Sequence, residues 1–228
     1  TFAPAAGQLY RYRHNMGMIP STEYLVFMDD FVHTVTTNLP FGWTAAIIDT
    51  GATIVLDTTV GSLGATGGLL FDSDGTTEGS AFYGEKAIQL TAAKRFFMEI
   101  RFQTEAADDT DVQFGLTAVT ATTNPEDLWT TTATDLIAFG VLDGDATTTM
   151  LCDLSNSGST AELGAIDLVN NTWHILAIYF DGTYVYGYVD GVFSIKWSQA
   201  ATMTLPLVVV LAPFVGFRNC STAANDDH

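Results

Sequence analysis

The sequence predicts an all-β protein built as a sandwich, and three observations support this prediction. Short runs rich in Val, Ile, Thr and aromatic residues alternate with Gly, Asp and Asn at a spacing of about ten residues, which is typical of sandwiches and barrels. Hydrophobic residues make up 47% of the 228 residues and charged residues 15%, so the chain has ample material for a core and little for solvated helices. Two Asp-Gly pairs divide residues 171–197 into three strand-like runs. Because all-β sandwiches of this length are routinely single domains, we expect one sandwich domain.

The first 22 residues differ in composition from the rest, which predicts an extended N-terminal arm (residues 1–22) followed by the sandwich (residues 23–228). Two of the eight basic residues lie within three positions of each other in this arm, interleaved with tyrosines. Arg and Tyr are enriched at binding hot spots, so we predict a partner-binding segment there. Its residues are Tyr10, Arg11, Tyr12, Arg13 and His14. The alternative is an edge strand that folds back along the sandwich, with its arginines paired to local carboxylates.

Candidate strands follow one another from residue 24 onward. Their sequences are YLVFMDDF, WTAAIID, ATIVLDTT, the Gly-rich GSLGATGGLLF, KRFFMEIRF, VQFGLTAVT and DLIAFGVLDG. In KRFFMEIRF the alternation places Phe96, Met98, Ile100 and Phe102 on one face. Phe97, Glu99 and Arg101 share the other face. This pattern predicts a strand with one buried face and a surface ion pair between Glu99 and Arg101.

Prolines help to interpret two further segments of the chain. Pro125 is suited to the first turn of a helix, so a short helical turn is predicted at Pro125–Trp129. The apolar run from Leu205 to Phe217 is interrupted by Pro206 and Pro213 and is shorter than the roughly 20 residues that a membrane helix needs. We therefore predict one or two buried strands there and no membrane partner.

The segment from Asn171 to Trp197 predicts a three-stranded meander, because Asp-Gly tolerates the positive φ that two-residue hairpin turns require. The turns are expected at Asp181-Gly182 and Asp190-Gly191. The middle strand places Tyr184, Tyr186 and Tyr188 on one face. A row of tyrosines can stack on sugar rings, or it can line the inner face of the sandwich. The preceding strand is apolar on both faces, which favours packing over a glycan site.

The meander resembles a hairpin of the concanavalin A-like superfamily, which includes laminin G-like modules, legume lectins and laminarinase-type glucanases. The residues that carry the resemblance are Trp173, Asp181, Gly182, Tyr188, Val189, Asp190 and Gly191. The motifs MDDF, Gly42-Trp43, FMEIRF, FGLT and IAFG also occur in the order seen in the concanavalin A-like domains of tailed-phage structural proteins. The resemblance implies a jelly-roll sandwich of two antiparallel sheets and a non-catalytic virion component.

The chain lacks the residue patterns that would indicate an enzyme. The motifs of zinc proteases, P-loop proteins, serine hydrolases and dinucleotide-binding proteins are missing from the sequence. The glucanases that the meander resembles place two carboxylates on one strand face, whereas the strand at FMEIRF offers only Glu99. We therefore expect no enzymatic activity.

Acidic turns are the candidate metal sites, but their spacing fits no calcium loop. Asp72, Asp74 and Glu78 form one turn, and Asp143 and Asp145 form another. We interpret both segments as solvated acidic turns and expect no metal and no cofactor. A calcium ion near Asp72, Asp74 and Glu78 is left open as the alternative. The two cysteines, Cys152 and Cys220, lack metal-like spacing and predict buried thiols rather than a disulfide.

The formal net charge of −18 comes from 26 acidic and 8 basic residues. Such a surface repels phosphate backbones, so nucleic acid is excluded as a partner. The charge can serve solubility alone, or it can match a basic partner or a salty medium.

Two functional hypotheses follow. The first is a non-enzymatic virion structural protein, a capsid decoration (cement) protein of a tailed phage. It would lie on the capsid exterior and bind the major capsid protein and neighbouring copies of itself, partly through the arm. The alternative is a lectin-like module that binds surface glycans, with Tyr184, Tyr186 and Tyr188 as the glycan-binding residues.

Overall fold

The computed structural model describes residues 43–47, 53–57, 68–73, 79–86, 88–91, 95–107, 109–118, 135–142, 145–153, 160–197, 209–219 and 226–227. All regular secondary structure in these ranges is β-strand. None of them contains a helix long and apolar enough to cross a membrane. The all-β prediction is therefore confirmed.

The described ranges contain fourteen strands. In chain order they are β1 (Thr44–Ile47), β2 (Thr53–Asp57), β3 (Gly68–Ser73), β4 (Gly79–Tyr83), β5 (Phe96–Phe102), β6 (Thr110–Thr117), β7 (Leu136–Leu142), β8 (Asp145–Asp153), β9 (Thr160–Asp167), β10 (His174–Phe180), β11 (Val185–Val189), β12 (Val192–Lys196), β13 (Ala212–Asn219) and β14 (Asp226–Asp227).

Two antiparallel sheets form the sandwich. The larger has seven strands in the order β1-β4-β13-β6-β7-β8-β9, and the smaller has four in the order β12-β11-β10-β5. A third sheet, β14-β3-β2, is also antiparallel. Because β13 lies between β4 and β6, the chain returns to the middle of the large sheet near its end. This crossing connectivity agrees with the jelly-roll sandwich that the resemblance implied.

The main core lies between the seven-stranded and four-stranded sheets. Strand β5 contributes Phe96, Met98, Ile100 and Phe102 to it, as the alternation predicted. Strands β6 and β7 are buried along their whole length. The second face of β7 belongs to a separate apolar cluster, whereas the second face of β6 carries buried polar residues. The rings of Phe114 and Phe139 meet edge to face at the centre, with centroids 6.4 Å apart.

Glycines allow β6 and β7 to approach closely. A Cβ atom on Gly140 would lie 1.6 Å from the carbonyl oxygen of Val112, and one on Gly115 would lie 1.9 Å from that of Ile137. These glycines are the ones in the FGLT and IAFG motifs. Backbone atoms cannot move aside as a side chain can, so both positions require glycine.

A hydroxyl pair joins the two sheets at one corner of the sandwich. Ser194 Oγ on β12 lies 2.8 Å from Thr148 Oγ1 on β8. The same Ser194 oxygen accepts a hydrogen bond from the backbone N–H of Ala165 on β9 at 3.1 Å. The edge strands β9 and β12 are thus linked by side-chain bonds where no strand ladder connects them.

The predicted meander is β10-β11-β12, but its two turns differ. Asp190 and Gly191 have φ of 51° and 79°, so the second turn is the expected two-residue hairpin turn. The first connection spans four residues, 181–184, and the prediction of a two-residue turn at Asp181-Gly182 was wrong. The reason is the Asp181 carboxylate, because its Oδ1 accepts the backbone N–H groups of Thr183 and Tyr184 at 2.7 Å each and closes a longer loop.

Some predictions lie outside the described residues. They are the arm of residues 1–22 with its boundary at residue 23, the strand at residues 24–31 and the helical turn at Pro125–Trp129.

Candidate functional site

The outward face of the four-stranded sheet is unusually aromatic. We call it the aromatic face. Its members are Phe97, Glu99 and Arg101 of β5, Ala177 and Tyr179 of β10, Tyr184 of the loop, Tyr186 and Tyr188 of β11, and Phe193 and Lys196 of β12. An outward sheet face normally carries polar residues. Its apolar character therefore indicates that this face serves packing or binding.

The strand register arranges the aromatic face in rows across the sheet. One row runs Phe97, Tyr179, Tyr186 and Lys196, because each is the register partner of the next. The neighbouring row runs Glu99, Ala177, Tyr188 and Phe193.

Ring contacts hold the rows together. Tyr179 stacks on Tyr186 with centroids 6.1 Å apart, and Tyr188 meets Phe193 edge to face at 5.9 Å. Tyr186 and Tyr188 are buried, whereas Phe97 and Tyr184 are half-buried and Phe193 is 48% exposed. The accessible ring surface therefore comes from Tyr184, Phe97 and Phe193.

The predicted tyrosine row is present, but it lies on the opposite face from the one proposed for packing. Tyr184, Tyr186 and Tyr188 do share a face, whereas the inner face of β11 is formed by Val185 and Val189, which belong to the main core. The inner-face alternative was therefore wrong, because the smaller β-branched residues fill the space between the sheets. Both faces of β11 are nevertheless buried.

Asp181 organises one end of the aromatic face. Its Oδ1 fixes the backbone of the 181–184 loop, and the Tyr186 hydroxyl donates to its Oδ2 at 3.1 Å. Desolvation, together with the hydrogen bond to Asp181, raises the pKa of Tyr186 to about 12. The Lys196 ammonium lies 3.5 Å from the centroid of the Tyr184 ring. This end therefore combines a carboxylate, a cation and a half-buried ring.

At the diagonally opposite corner, Arg101 lies over Trp173. Its guanidinium carbon is 4.5 Å from the ring centroid. Within the described part of the chain Arg101 forms no ion pair with Glu99, so the predicted pair was wrong. The half-buried indole instead offers Arg101 a cation–π contact.

His174 and Asp190 form a hydrogen-bonded pair that resembles part of a catalytic triad only in its geometry. Nδ1 of His174 lies 2.8 Å from Oδ2 of Asp190. The other ring nitrogen, Nε2, accepts the backbone N–H of Val169 at 3.0 Å, so it is not available to activate a nucleophile. His174 therefore has a structural role at the start of β10.

A second polar group lies on the outward face of the seven-stranded sheet, and the sequence reading missed it. Asp111 is fully buried and binds Arg218 of the adjacent strand, with Nε of Arg218 2.9 Å from Oδ2. Gln113, also fully buried, donates from Nε2 to the carbonyl oxygen of Val141 at 3.2 Å. The available signal was the alternation of Asp111 and Gln113 with apolar residues along β6.

The predicted metal positions are only partly described. Asp145 is exposed and its Oδ1 accepts the backbone N–H of Thr147 at 2.8 Å, a bond that holds the pKa of this carboxyl below its usual value. Asp74, Glu78 and Asp143 lie outside the described residues, as does the side chain of Asp72. Among the described side chains, no group of three or more His, Cys, Asp or Glu is arranged to hold a metal ion.

Cys152 is a buried thiol, as predicted, and Cys220 lies outside the described residues. The candidate partner-binding residues Tyr10, Arg11, Tyr12, Arg13 and His14 also lie outside them.

No protein-family model and no curated protein sequence matches this chain. Solved structures do match. The exoplasmic/lumenal domain of VIP36, in its Ca2+/Man3GlcNAc-bound form, has a TM-score of 0.55 at 11% identity and covers 82% of this chain and 80% of that chain. A glycoside hydrolase family 16 endo-glucanase from Bacteroides ovatus has a TM-score of 0.54 at 9% identity, with 86% of each chain covered. Alginate lyase A1-II′ has a TM-score of 0.52 at 10% identity and covers 82% of this chain and 89% of that chain. At these identities the likeness shows the fold alone, and that fold is the concanavalin A-like lectin/glucanase sandwich.

Proposed function

We propose that this chain is a non-catalytic carbohydrate-binding domain that binds its ligand on the aromatic face. The observation that carries the proposal is the placement of Phe97, Tyr184 and Phe193, with accessible ring surface, on the side of the four-stranded sheet away from the core. Tyrosine offers a flat apolar face together with a polar hydroxyl, a combination suited to sugar rings. The VIP36 domain of similar fold holds a saccharide, Man3GlcNAc, which supports the proposal by analogy of fold.

The carboxylates of the aromatic face argue for binding rather than hydrolysis. Asp181 follows the end of β10, whereas Glu99 lies opposite Ala177, four residues further back along that strand. At about 3.4 Å per residue this is roughly 14 Å along the strand. Glycosidases need two carboxyl groups about 5 to 9.5 Å apart. Both oxygens of Asp181 are also engaged in hydrogen bonds.

The test is a glycan array followed by calorimetry on any saccharide that binds. Replacing Tyr184 or Phe193 by Ala should weaken binding about tenfold or more, since loss of an aromatic stack costs roughly 1 to 3 kcal/mol. Leu163→Ala is the matched control, because Leu163 is 70% exposed and lies on β9 of the other sheet. Absence of saccharide binding, or binding that both aromatic variants leave unchanged, would contradict the proposal.

The capsid decoration role is a second candidate, favoured by the local basic and aromatic composition of Tyr10–His14 in an acidic chain. Arms that are weak individually can hold tightly when neighbouring copies also touch one another. Deleting residues 1–22 should abolish association with phage particles while the thermal transition of the sandwich persists. Full occupancy on particles by the truncated protein would contradict the role of the arm.

A further inference from the structure

The aromatic face carries two exposed cations in a chain where acidic residues outnumber basic ones, 26 to 8. Lys196 and Arg101 are both exposed. Within the described part of the chain neither of them forms an ion pair. Each lies over an aromatic ring instead, Lys196 over Tyr184 at 3.5 Å and Arg101 over Trp173 at 4.5 Å.

This arrangement leaves the donors of both cations available to a ligand. A cation over a ring face gains attraction from the ring and is held in place, but the ring offers no lone pair to its outward N–H groups. Arg218 shows the contrasting arrangement, because the buried Asp111 carboxylate accepts from its guanidinium. Lys196 and Arg101 are therefore positioned charges that an anion can still satisfy.

We propose that the aromatic face binds an acidic polysaccharide, with Lys196 and Arg101 pairing to its carboxylate or sulfate groups while Tyr184 and Phe193 contact its sugar rings. This inference rests on the proposed carbohydrate-binding function and names the ligand class. Bonds between ionised partners are about twice as strong as neutral hydrogen bonds, so two such contacts discriminate strongly between acidic and neutral chains.

The separation of the two cations indicates a polymer rather than a single acidic sugar. Lys196 shares a row with Phe97, three strand spacings away, and Arg101 lies four residues beyond Phe97 on β5. Strand spacing of about 4.8 Å and rise of about 3.4 Å per residue place the two positions roughly 20 Å apart. One sugar ring cannot reach both.

The net charge of −18 does not prevent this binding. At physiological ionic strength, charges separated by more than about 8 Å are largely screened from one another. The charges that act on the ligand are therefore chiefly those of the aromatic face itself. They are the cations Lys196 and Arg101, which the ligand touches, and the carboxylates Glu99 and Asp181.

The experiment compares matched polymers that differ only in charge. Polygalacturonate is paired with its fully methyl-esterified form, and dextran sulfate is paired with dextran. We expect at least one acidic polymer to bind about tenfold or more tightly than its neutral partner, and its monomer to bind much more weakly. Binding to polygalacturonate identifies a carboxylate ligand, and binding to dextran sulfate identifies a sulfate ligand.

The variants assign the effect to the two cations. Lys196→Met and Arg101→Met should each weaken binding of the acidic polymer about tenfold, a larger loss than either variant causes for a neutral saccharide, whereas Lys196→Arg should retain most of the acidic binding. Lys86→Met is the control, since Lys86 is exposed and lies outside the four-stranded sheet. Thermal unfolding of each variant checks that the fold is intact.

Equal binding of the neutral partners, or unchanged acidic binding in both Met variants, would overturn the inference and leave carbohydrate binding standing. Failure to bind any saccharide, neutral or acidic, would instead overturn the proposed function itself.

Discussion

His174 and Asp190 connect the start of β10 to the turn between β11 and β12, with Nδ1 of the imidazole 2.8 Å from Oδ2 of the carboxylate. The other carboxylate oxygen accepts the backbone N–H of Ile175 at 2.8 Å, and the backbone N–H of Asp190 donates to the carbonyl oxygen of Ile175 at 2.8 Å. Since Nε2 of His174 accepts from Val169, the ring also secures the loop before β10. The His174 side chain thus connects the loop at Val169 to the turn at Asp190, which are distant in sequence.

Asp190→Ala should lower the free energy of unfolding by about 3 kcal/mol. The change removes two hydrogen bonds to a charged group and places Ala at a φ of 51°, which Asp and Asn tolerate better. Asp190→Asn keeps the left-handed turn and one acceptor for Ile175, so its cost should be about 1 kcal/mol. Urea denaturation measures both variants, and equal costs would contradict this explanation.

Gly140→Ala should lower the free energy of unfolding by more than about 3 kcal/mol or prevent folding, because its Cβ would meet the backbone carbonyl of Val112. Gly164→Ala is a useful comparison. There the nearest atoms are the hydroxyl oxygens of Thr148 and Ser194, which can rotate away at the loss of a hydrogen bond, so about 1 kcal/mol is expected. A Gly140 variant of near wild-type stability would show that β6 and β7 can separate.

Arg218→Met should lower the free energy of unfolding by about 3 to 5 kcal/mol, because it leaves the fully buried Asp111 carboxylate without its charge partner. Replacing both residues, with Asp111→Leu added, should recover most of that loss, since a well-packed apolar pair often substitutes for a buried ion pair. A double-mutant cycle in guanidinium chloride separates the coupling from the single effects. Additive losses would mean that the pair contributes no coupling energy.

The environment of the Tyr188 hydroxyl predicts that the protein loses stability at alkaline pH. This hydroxyl is buried and, within the part of the chain that the structure describes, has no hydrogen-bond partner; desolvation raises its pKa to about 12. A tyrosine whose pKa is higher in the folded state than in the unfolded chain stabilises the folded state below the unfolded pKa near 10. This stabilisation is lost as the pH rises toward the folded pKa near 12. Stability should therefore fall between about pH 10 and pH 12.

Tyr188→Phe should reduce that alkaline loss and cost less than about 0.5 kcal/mol at neutral pH, because no hydrogen bond is broken. Unfolding free energies across this pH range measure both effects. A large loss of stability in the Phe variant at neutral pH would show that the hydroxyl is hydrogen-bonded in solution.

The sequence by itself determined the strands in which polar and apolar residues alternate clearly and the strands that end at a clear turn signal. The alternation in β5 predicted its inner face correctly because side chains of a strand must point to opposite sides. Asp190-Gly191 predicted a two-residue turn correctly because few residue pairs tolerate positive φ at both positions. The FGLT and IAFG motifs supported the fold, although their physical reason, the close approach of Gly115 and Gly140 to backbone carbonyls, is visible only between paired strands.

Only the tertiary structure decided which face of β11 meets the core and which partners the polar side chains contact. Alternation shows that Tyr184, Tyr186 and Tyr188 share a face, but the space between the sheets selects Val185 and Val189 for the interior. Spacing along one strand predicted that Arg101 would pair with Glu99. The fold instead brings Trp173, from another part of the chain, beneath the Arg101 guanidinium. The alternation of residues along a strand determines which side chains share a face. Their partners come from segments that approach only after folding. The candidate site could therefore be predicted as a row of tyrosines on one strand but not as a surface.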